Sequence, residues 1–456
     1  MSEEYFDVVV VGSGFGGSVC AYRLARAGLK VCLLERGKAY EPGSFPRTQY
    51  GMRRNFWDPS EGSYGLYNFW SFKGLDALIT SGLGGGSLIY ANVLLRKPRE
   101  WFDQHYAYKG GQEHWPITYA DLQPHYEAVE TMLNAQLYPL EREPYNRTHK
   151  TIALKEAADR LNLPWELVNL AVTFANPGEP PIPGEPIVED RPNLHGRTRY
   201  TCRLCGECVV GCNYGSKNTL DYNYLSRAAE EGVDIRTLCE VRSFGPREAN
   251  GYFVRYVKHD SARVGQKTDT SELSLLEITA DRLILCAGTL GTTYLLLKNR
   301  HAFPQLSPQL GTHFSGNGDL LTFALKCKAG EGDRSSPRNL DPSFGPSITS
   351  AIKIDDDPND PAKRGYFIED AGIPAFVTWI IEAFNLPHPF LRVIRTAFRR
   401  LLARLKQEPT TDISGEIASI FGNAGLSSSS IPILGQGRDT PDGNMTLRDN
   451  FLQVDW

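Results

Sequence analysis

The chain lacks three things, and each absence excludes a class of function. It has no excess of charge of one sign: 49 Lys and Arg stand against 53 Asp and Glu, a formal net charge of −4. Nucleic-acid binding, which draws on a basic patch or stripe, gains nothing from that balance. It has no unbroken apolar run. The most apolar stretch, Ala375 to Leu391, is interrupted by Glu382, Asn385, Pro387 and Pro389, whereas a membrane-spanning helix needs about 20 predominantly apolar residues. The N-terminus, MSEEYFDVVVVGSGFGG, lacks the basic start and long apolar stretch of a secretory signal. A soluble, cytoplasmic protein is the expectation. At 456 residues the chain is too long for one core, so two or more domains are expected.

What is present begins at residue 6. Phe6 to Val11 is an apolar run suited to a strand buried on both faces. A glycine turn follows, Ser18 to Ala27 reads as a helix stopped by Gly28, and Lys30 to Glu35 reads as a second strand. Two parallel strands need such a crossover. The turn is Gly12-Ser13-Gly14-Phe15-Gly16-Gly17. Gly12 permits the tight turn, Gly14 lets a pyrophosphate reach the backbone, and Gly17 lets helix and strand pack closely. The helix N-terminus offers free N–H groups to the phosphates. Glu35, 21 residues after Gly14, brings a carboxylate to the adenosine ribose hydroxyls. A lone glycine motif is weak evidence; the strand before it, the helix after it and this carboxylate make dinucleotide binding the reading. The motif does not choose between FAD and NAD.

A second glycine turn makes that choice: Ser81-Gly82-Leu83-Gly84-Gly85-Gly86-Ser87-Leu88-Ile89-Tyr90-Ala91-Asn92. Three consecutive glycines are costly in backbone entropy, and a flat ring lying on the main chain needs their missing side chains. Here the chain resembles the glucose–methanol–choline (GMC) oxidoreductases, whose first signature is a glycine-rich segment beside the flavin. The resemblance continues through Arg96-Lys97-Pro98 and Trp115-Pro116-Ile117. It returns at Ala287-Gly288-Thr289-Leu290-Gly291-Thr292 and at Leu310-Gly311-Thr312-His313-Phe314-Ser315-Gly316-Asn317-Gly318, blocks that look most like the cholesterol oxidase branch. It implies FAD, with Gly12, Gly14, Gly17, Glu35, Gly84, Gly85, Gly86, Asn92 and Gly288 at the cofactor. Tyr90 stands where many family members have Asn. Residues two apart on a strand face one side, so Asn92 is expected to substitute.

Cys202, Cys205, Cys208 and Cys212 follow the spacing CxxCxxCxxxC of the bacterial ferredoxin run, with Asn213 in place of the usual proline. In a reducing compartment such a cluster points to a metal or iron–sulfur site before disulfides. A structural zinc and a loop packed by reduced thiols are the competing readings. The resemblance adds that some sugar-oxidising relatives hold an iron–sulfur cluster near the flavin.

Alcohol oxidation needs a hydride acceptor and a base for the hydroxyl proton. For the base, the resemblance implies a His with a partner His or Asn on a C-terminal segment. None of the nine histidines, His195 and His313 included, stands in that context, and each reads as an ordinary surface or core residue. The expectation is that the chain stops short of that segment, after a strand with Leu452, Val454 and Trp456 on one face. Glu369 is the one substrate-side residue expected. Phe367 to Pro374 resembles the cholesterol oxidase strand whose Glu moves a proton during double-bond isomerisation, and a carboxyl in an apolar pocket has a raised pKa. An exposed strand-end carboxylate beside Asp370 is the alternative.

Phe390 to Lys406 predicts a helix with one apolar face and five interleaved arginines, packed on the core or, alternatively, resting on an anionic membrane. The expected fold is α/β: a discontinuous Rossmann-like FAD-binding domain over 1–320, with the cysteine loop at 200–215, and a substrate domain with an antiparallel sheet over 321–456. The expected activity is oxidation of a sterol or another bulky lipophilic alcohol, with oxygen or another acceptor taking the electrons. The alternatives are an iron–sulfur dehydrogenase for alcohols or sugars and a flavin-binding module without alcohol chemistry of its own.

Overall fold

A computed structural model describes residues 4–102, 115–328, 336–357, 363–375 and 428–456. The helix predicted for Phe390 to Lys406 lies outside these, as does most of the apolar stretch that begins at Ala375. The N-terminal unit forms as its pattern predicts: a strand over Tyr5–Val11, a helix over Phe15–Arg26 and a strand over Val31–Leu34. Val8 to Val11 and Val31 to Leu34 are all buried, the continuous apolar run of strands covered on both faces. Among the described residues their sheet has six strands, in the order Asp234–Arg236, Val31–Leu34, Tyr5–Val11, Leu275–Leu285, Tyr252–Lys258 and Cys239–Pro246. The first four pair in parallel, and each of the last two joins its preceding neighbour through an antiparallel pair. Ala21 and Ala25 let the first helix lie close to Val8, Val10 and Leu33, where Leu225 and Ala228 of the Tyr224–Glu230 helix join them.

A second, wholly antiparallel sheet runs Leu320–Ala324, Ile431–Gly437, Tyr366–Asp370, Ser350–Ile354 and Trp165–Leu167. One edge strand therefore starts where the 1–320 segment ends, and the other comes from well inside it. On one face, Leu154 and Ala158 of the His149–Leu161 helix pack on Ile352 and Ile368. Lys150 and Asp370, both fully buried, pin that helix to the sheet at 2.5 Å. The opposite face carries Phe367, Ala351 and Leu434 against Trp101, Val168 and Leu170, and against Ala91, Val93 and Leu95, which follow the second glycine turn. Backbone bonds extend this link, from Ala171 N–H to the Asn92 carbonyl (2.8 Å) and from Val168 N–H to the Thr349 carbonyl (3.3 Å). The two glycine turns and the antiparallel sheet thus meet at one place. No helix among the described residues is long and apolar enough to cross a membrane.

Candidate functional site

The first glycine turn takes the shape its three roles require. Gly12 has a φ of +97°, and a Cβ there would lie 2.4 Å from the Cys286 carbonyl oxygen. A Cβ on Gly17 would lie 1.9 Å from the Gly12 carbonyl oxygen, so helix and strand approach only because both are glycine. Gly14 differs: a Cβ on it would meet nothing within 4 Å. Its missing side chain leaves room for something other than protein. Glu35 is buried at the end of the second strand and accepts from Ser13 N–H (3.1 Å), Ser13 Oγ–H (2.6 Å) and Gly37 N–H (2.8 Å). A carboxylate has about four lone-pair sites, so capacity is left for a hydroxyl.

The second glycine turn folds back onto the first. A Cβ on Gly85 would come within 2.7 Å of the Gly14 Cα, whereas one on Gly86 would meet nothing within 4 Å. Gly84 donates from its N–H to Ser13 Oγ at 3.0 Å. The segment is not the strand assumed for placing Asn92: Gly85–Leu88 is a 3-10 turn, and Asn92 sits in left-handed backbone with a φ of +73°. The consecutive glycines bend the chain too sharply for a pleat, so strand alternation does not govern which way Tyr90 and Asn92 point. Asn92 is nonetheless fully buried with neither amide atom partnered, and the Tyr90 hydroxyl is also unpartnered. Open space before Gly14 and Gly86, where the two turns lie against each other, fits a bound dinucleotide. Gly288, with a φ of +75°, opens the Gly288–Lys298 helix after the neighbouring strand, and no atom stands within 4 Å of where its Cβ would be.

Glu369 is placed by its strand register opposite Ala351 on one side and Leu434 on the other, on the apolar face that meets residues 91–95. It is 0 % exposed, and neither carboxyl oxygen has a hydrogen-bond partner. Burial, with the negative charges of Asp370 and Asp319 adding to it, pushes its pKa from 4.5 up to about 8. The exposed strand-end alternative is thereby excluded. Asp370, the next residue, points to the other face, where Lys150, Thr151, Thr349 and Ser350 all donate to it.

A family described as FAD dependent oxidoreductase matches residues 7–143, and one described as GMC oxidoreductase matches residues 194–313. A cholesterol oxidase of Mycobacterium tuberculosis is 33% identical over 353 residues, which is 76% of this chain and 56% of that protein. The chain belongs to the GMC oxidoreductases. A cholesterol oxidase of Acinetobacter baumannii is 28% identical, over 79% of this chain and 61% of its own length. This GMC oxidoreductase thus spans a little over half the length of the curated relatives it matches. A solved formate oxidase of Aspergillus oryzae RIB40 shares the fold, with a TM-score of 0.50 and 14% identity over 100% of this chain and 77% of that one. FAD is the cofactor that both family matches imply, and it is the dinucleotide the two glycine turns fit.

The cysteine loop of this GMC oxidoreductase lies against the second glycine turn. Cys202, Cys205, Cys208 and Cys212 line one cavity of about 20 Å³ together with Lys217. Lys217 is fully buried; its Nζ donates to the carbonyls of Tyr90 (2.6 Å) and Cys208 (3.0 Å), and burial lowers its pKa to about 7. Burial also pushes the Cys205 thiol up to about 12. All nine cysteines are free thiols. Among the described residues no group of three or more His, Cys, Asp or Glu is arranged to hold a metal ion. The sequence spacing brings the four cysteines together, but the arrangement does not fit an iron–sulfur cluster.

Sequence reasoning passed over two features. His195, read as ordinary, is paired with Asp221 at 2.7 Å, with side chains 3% and 2% exposed. The Lys217 clamp had no motif to announce it. A cavity of about 1100 Å³ lies on the outer side of the first helix, between Tyr119–Met132 and the loop at 176–192. It includes neither glycine turn and is not the cofactor site.

Proposed function

We propose that this GMC oxidoreductase oxidises the CH–OH group of a sterol or another bulky lipophilic alcohol, with Glu369 carrying a proton on the substrate side. The observation behind it is a fully buried, unpartnered carboxyl on the sheet face that packs against the flavin segment. With a pKa of about 8, Glu369 holds its proton at neutral pH and can give it up to an acceptor of modest strength. Phe367, Leu434 and Ala351 line the same face, and such a wall excludes water and leaves the hydroxyls of a sugar without partners. Bound FAD supplies the hydride acceptor. The glycine turns hold and orient it, and Glu369 holds or moves a proton at its carboxyl oxygen, in a sterol during double-bond isomerisation. Similarity to two cholesterol oxidases supports the same substrate class. Electrons leave to oxygen or an external acceptor. The rival iron–sulfur dehydrogenase has only the cysteine spacing behind it. The division at residue 320 into a cofactor and a substrate domain belongs to this proposal.

The test is anaerobic mixing of the FAD-loaded protein with cholesterol in detergent, a long-chain alcohol, or glucose. With the hydroxyl proton taken up by buffer base, flavin bleaching by the lipophilic alcohols and not by glucose is the expected result. A yellow protein that bleaches with none of them overturns the proposal and leaves a flavin-binding module. Glu369→Gln should impair isomerisation of a sterol double bond more than bleaching.

A further inference from the structure

Glu369 stands at a boundary on its sheet face. Directly opposed residues of antiparallel strands project to one side, so Ala351, Glu369, Leu434 and Leu321 form one row across four strands. The row is filled at one end. Ala351 and Glu369 are fully buried, and Trp101, Val168 and Leu170 pack over this half of the face. Leu434 is half-buried, and Leu321, at the other end, is 60% exposed. Phe323, two residues on and therefore on the same face, is 46% exposed. Along this row the face is closed toward Ala351 and open toward Leu321.

Neighbouring strands lie about 4.8 Å apart, so Leu321 is two strands, or roughly 10 Å, from Glu369 across the sheet. A small alcohol reacting beside Glu369 stops short of that distance, whereas an elongated one covers it. Each methylene that such a molecule buries against Leu321 and Phe323 strengthens binding about fourfold. We infer that Leu321 and Phe323 form the wall on which the apolar body of the alcohol lies, its hydroxyl end toward Glu369, and that they set the preference for a long substrate. This rests on the oxidation proposed above. Leu320 supplies an internal contrast. It belongs to the same strand and is 62% exposed, but it opposes Gly435, which in turn opposes Ile368 on the helix-covered face. It has no part in the wall.

The experiment measures binding of dehydroergosterol, a fluorescent sterol, to dilute FAD-loaded protein by anisotropy. Leu321→Ser and Phe323→Ser should each weaken binding about tenfold, and Leu320→Ser should leave it within about twofold of wild type. All three side chains are exposed, so the variants should keep wild-type FAD content and unfolding temperature. Anaerobic bleaching gives a second readout. The two wall variants should raise the half-saturating concentration of dodecanol about tenfold, and leave the limiting rate and the response to butanol unchanged. Wild-type sterol affinity in both wall variants, or no sterol binding at all, overturns the inference. So does an equal loss in Leu320→Ser, which makes the strand an edge between copies and not one wall of a site. Protein that binds the sterol through these residues yet bleaches with no alcohol is a different failure, that of the proposed oxidation.

Discussion

At Gly14 the space in front of the backbone belongs to no protein atom, and its φ of −66° is one that any residue adopts. Gly14→Val should therefore leave the apoprotein as stable as wild type, to within about 0.5 kcal/mol, while abolishing FAD uptake. Unfolding temperature and flavin content, measured together, check both halves. Gly12→Val is the contrast, because its side chain would strike the Cys286 carbonyl, and it should lower stability as well. Glu369 gives a prediction in pH. Its folded pKa of about 8 lies above the ordinary 4.5, so the folded state keeps a proton that the unfolded chain releases. Stability is fully present below about pH 4.5 and falls as pH rises to about 8, by up to about 1.4 kcal/mol per unit. Apoprotein with Glu369→Gln should match wild type near pH 4.5 and unfold at a higher temperature near pH 8. Equal pH dependence in thermal melts of the two would remove the buried-acid assignment. The glycine positions were legible in the sequence because each answers a local steric demand. The state of Glu369 was only half legible, since burial depends on strands brought together from residues 320 to 437.

Elements show why some motifs mislead. The cysteine loop has ferredoxin-like spacing, but Asn213 replaces the proline and pairs reciprocally with the Phe45 backbone, accepting its N–H and donating to its carbonyl, each at 2.9 Å. A proline makes neither bond. Arg47 adds bonds to Glu207 and to the Val210 carbonyl, and the loop is anchored by these contacts and by Lys217. Metal analysis of anaerobically purified protein should find no stoichiometric iron or sulfide, and all nine thiols should titrate after unfolding. One cluster's worth of iron and sulfide per chain would refute this account of the loop. The Lys150–Asp370 pin between helix and sheet is a stability device behind Glu369. Lys150→Ala should cost about 3–5 kcal/mol in urea unfolding, because it strands a buried carboxylate. Neither this pair nor His195–Asp221 was legible, since nothing local marks partners 220 or 26 residues apart. The first strand–helix–strand unit was, because its apolar periodicity is local.

Across the whole molecule, the antiparallel sheet ends, among the described residues, in Leu320–Ala324, paired on one side with Ile431–Gly437. Leu320, Leu321 and Phe323 are all exposed on it, and an apolar edge strand recruits other strands. Leu321→Lys should reduce association with rising concentration, as read by light scattering, without changing FAD content. The parallel sheet has another consequence, in the order of synthesis. Tyr5–Val11 pairs early on one side with Val31–Leu34, but its other neighbour is Leu275–Leu285, with Tyr5 opposite Thr279, 274 residues later. At about 5–20 residues per second, a ribosome takes roughly 14–55 s to deliver that partner. Throughout that interval this apolar strand has one bare edge. The Gly12 turn also awaits the Cys286 N–H, which bonds the Val11 carbonyl at 2.7 Å. Flavin capture is therefore a late event in translation: nascent chains stalled before Leu275 hold none, and occupancy begins only once the strand and helix through Lys298 have left the ribosome.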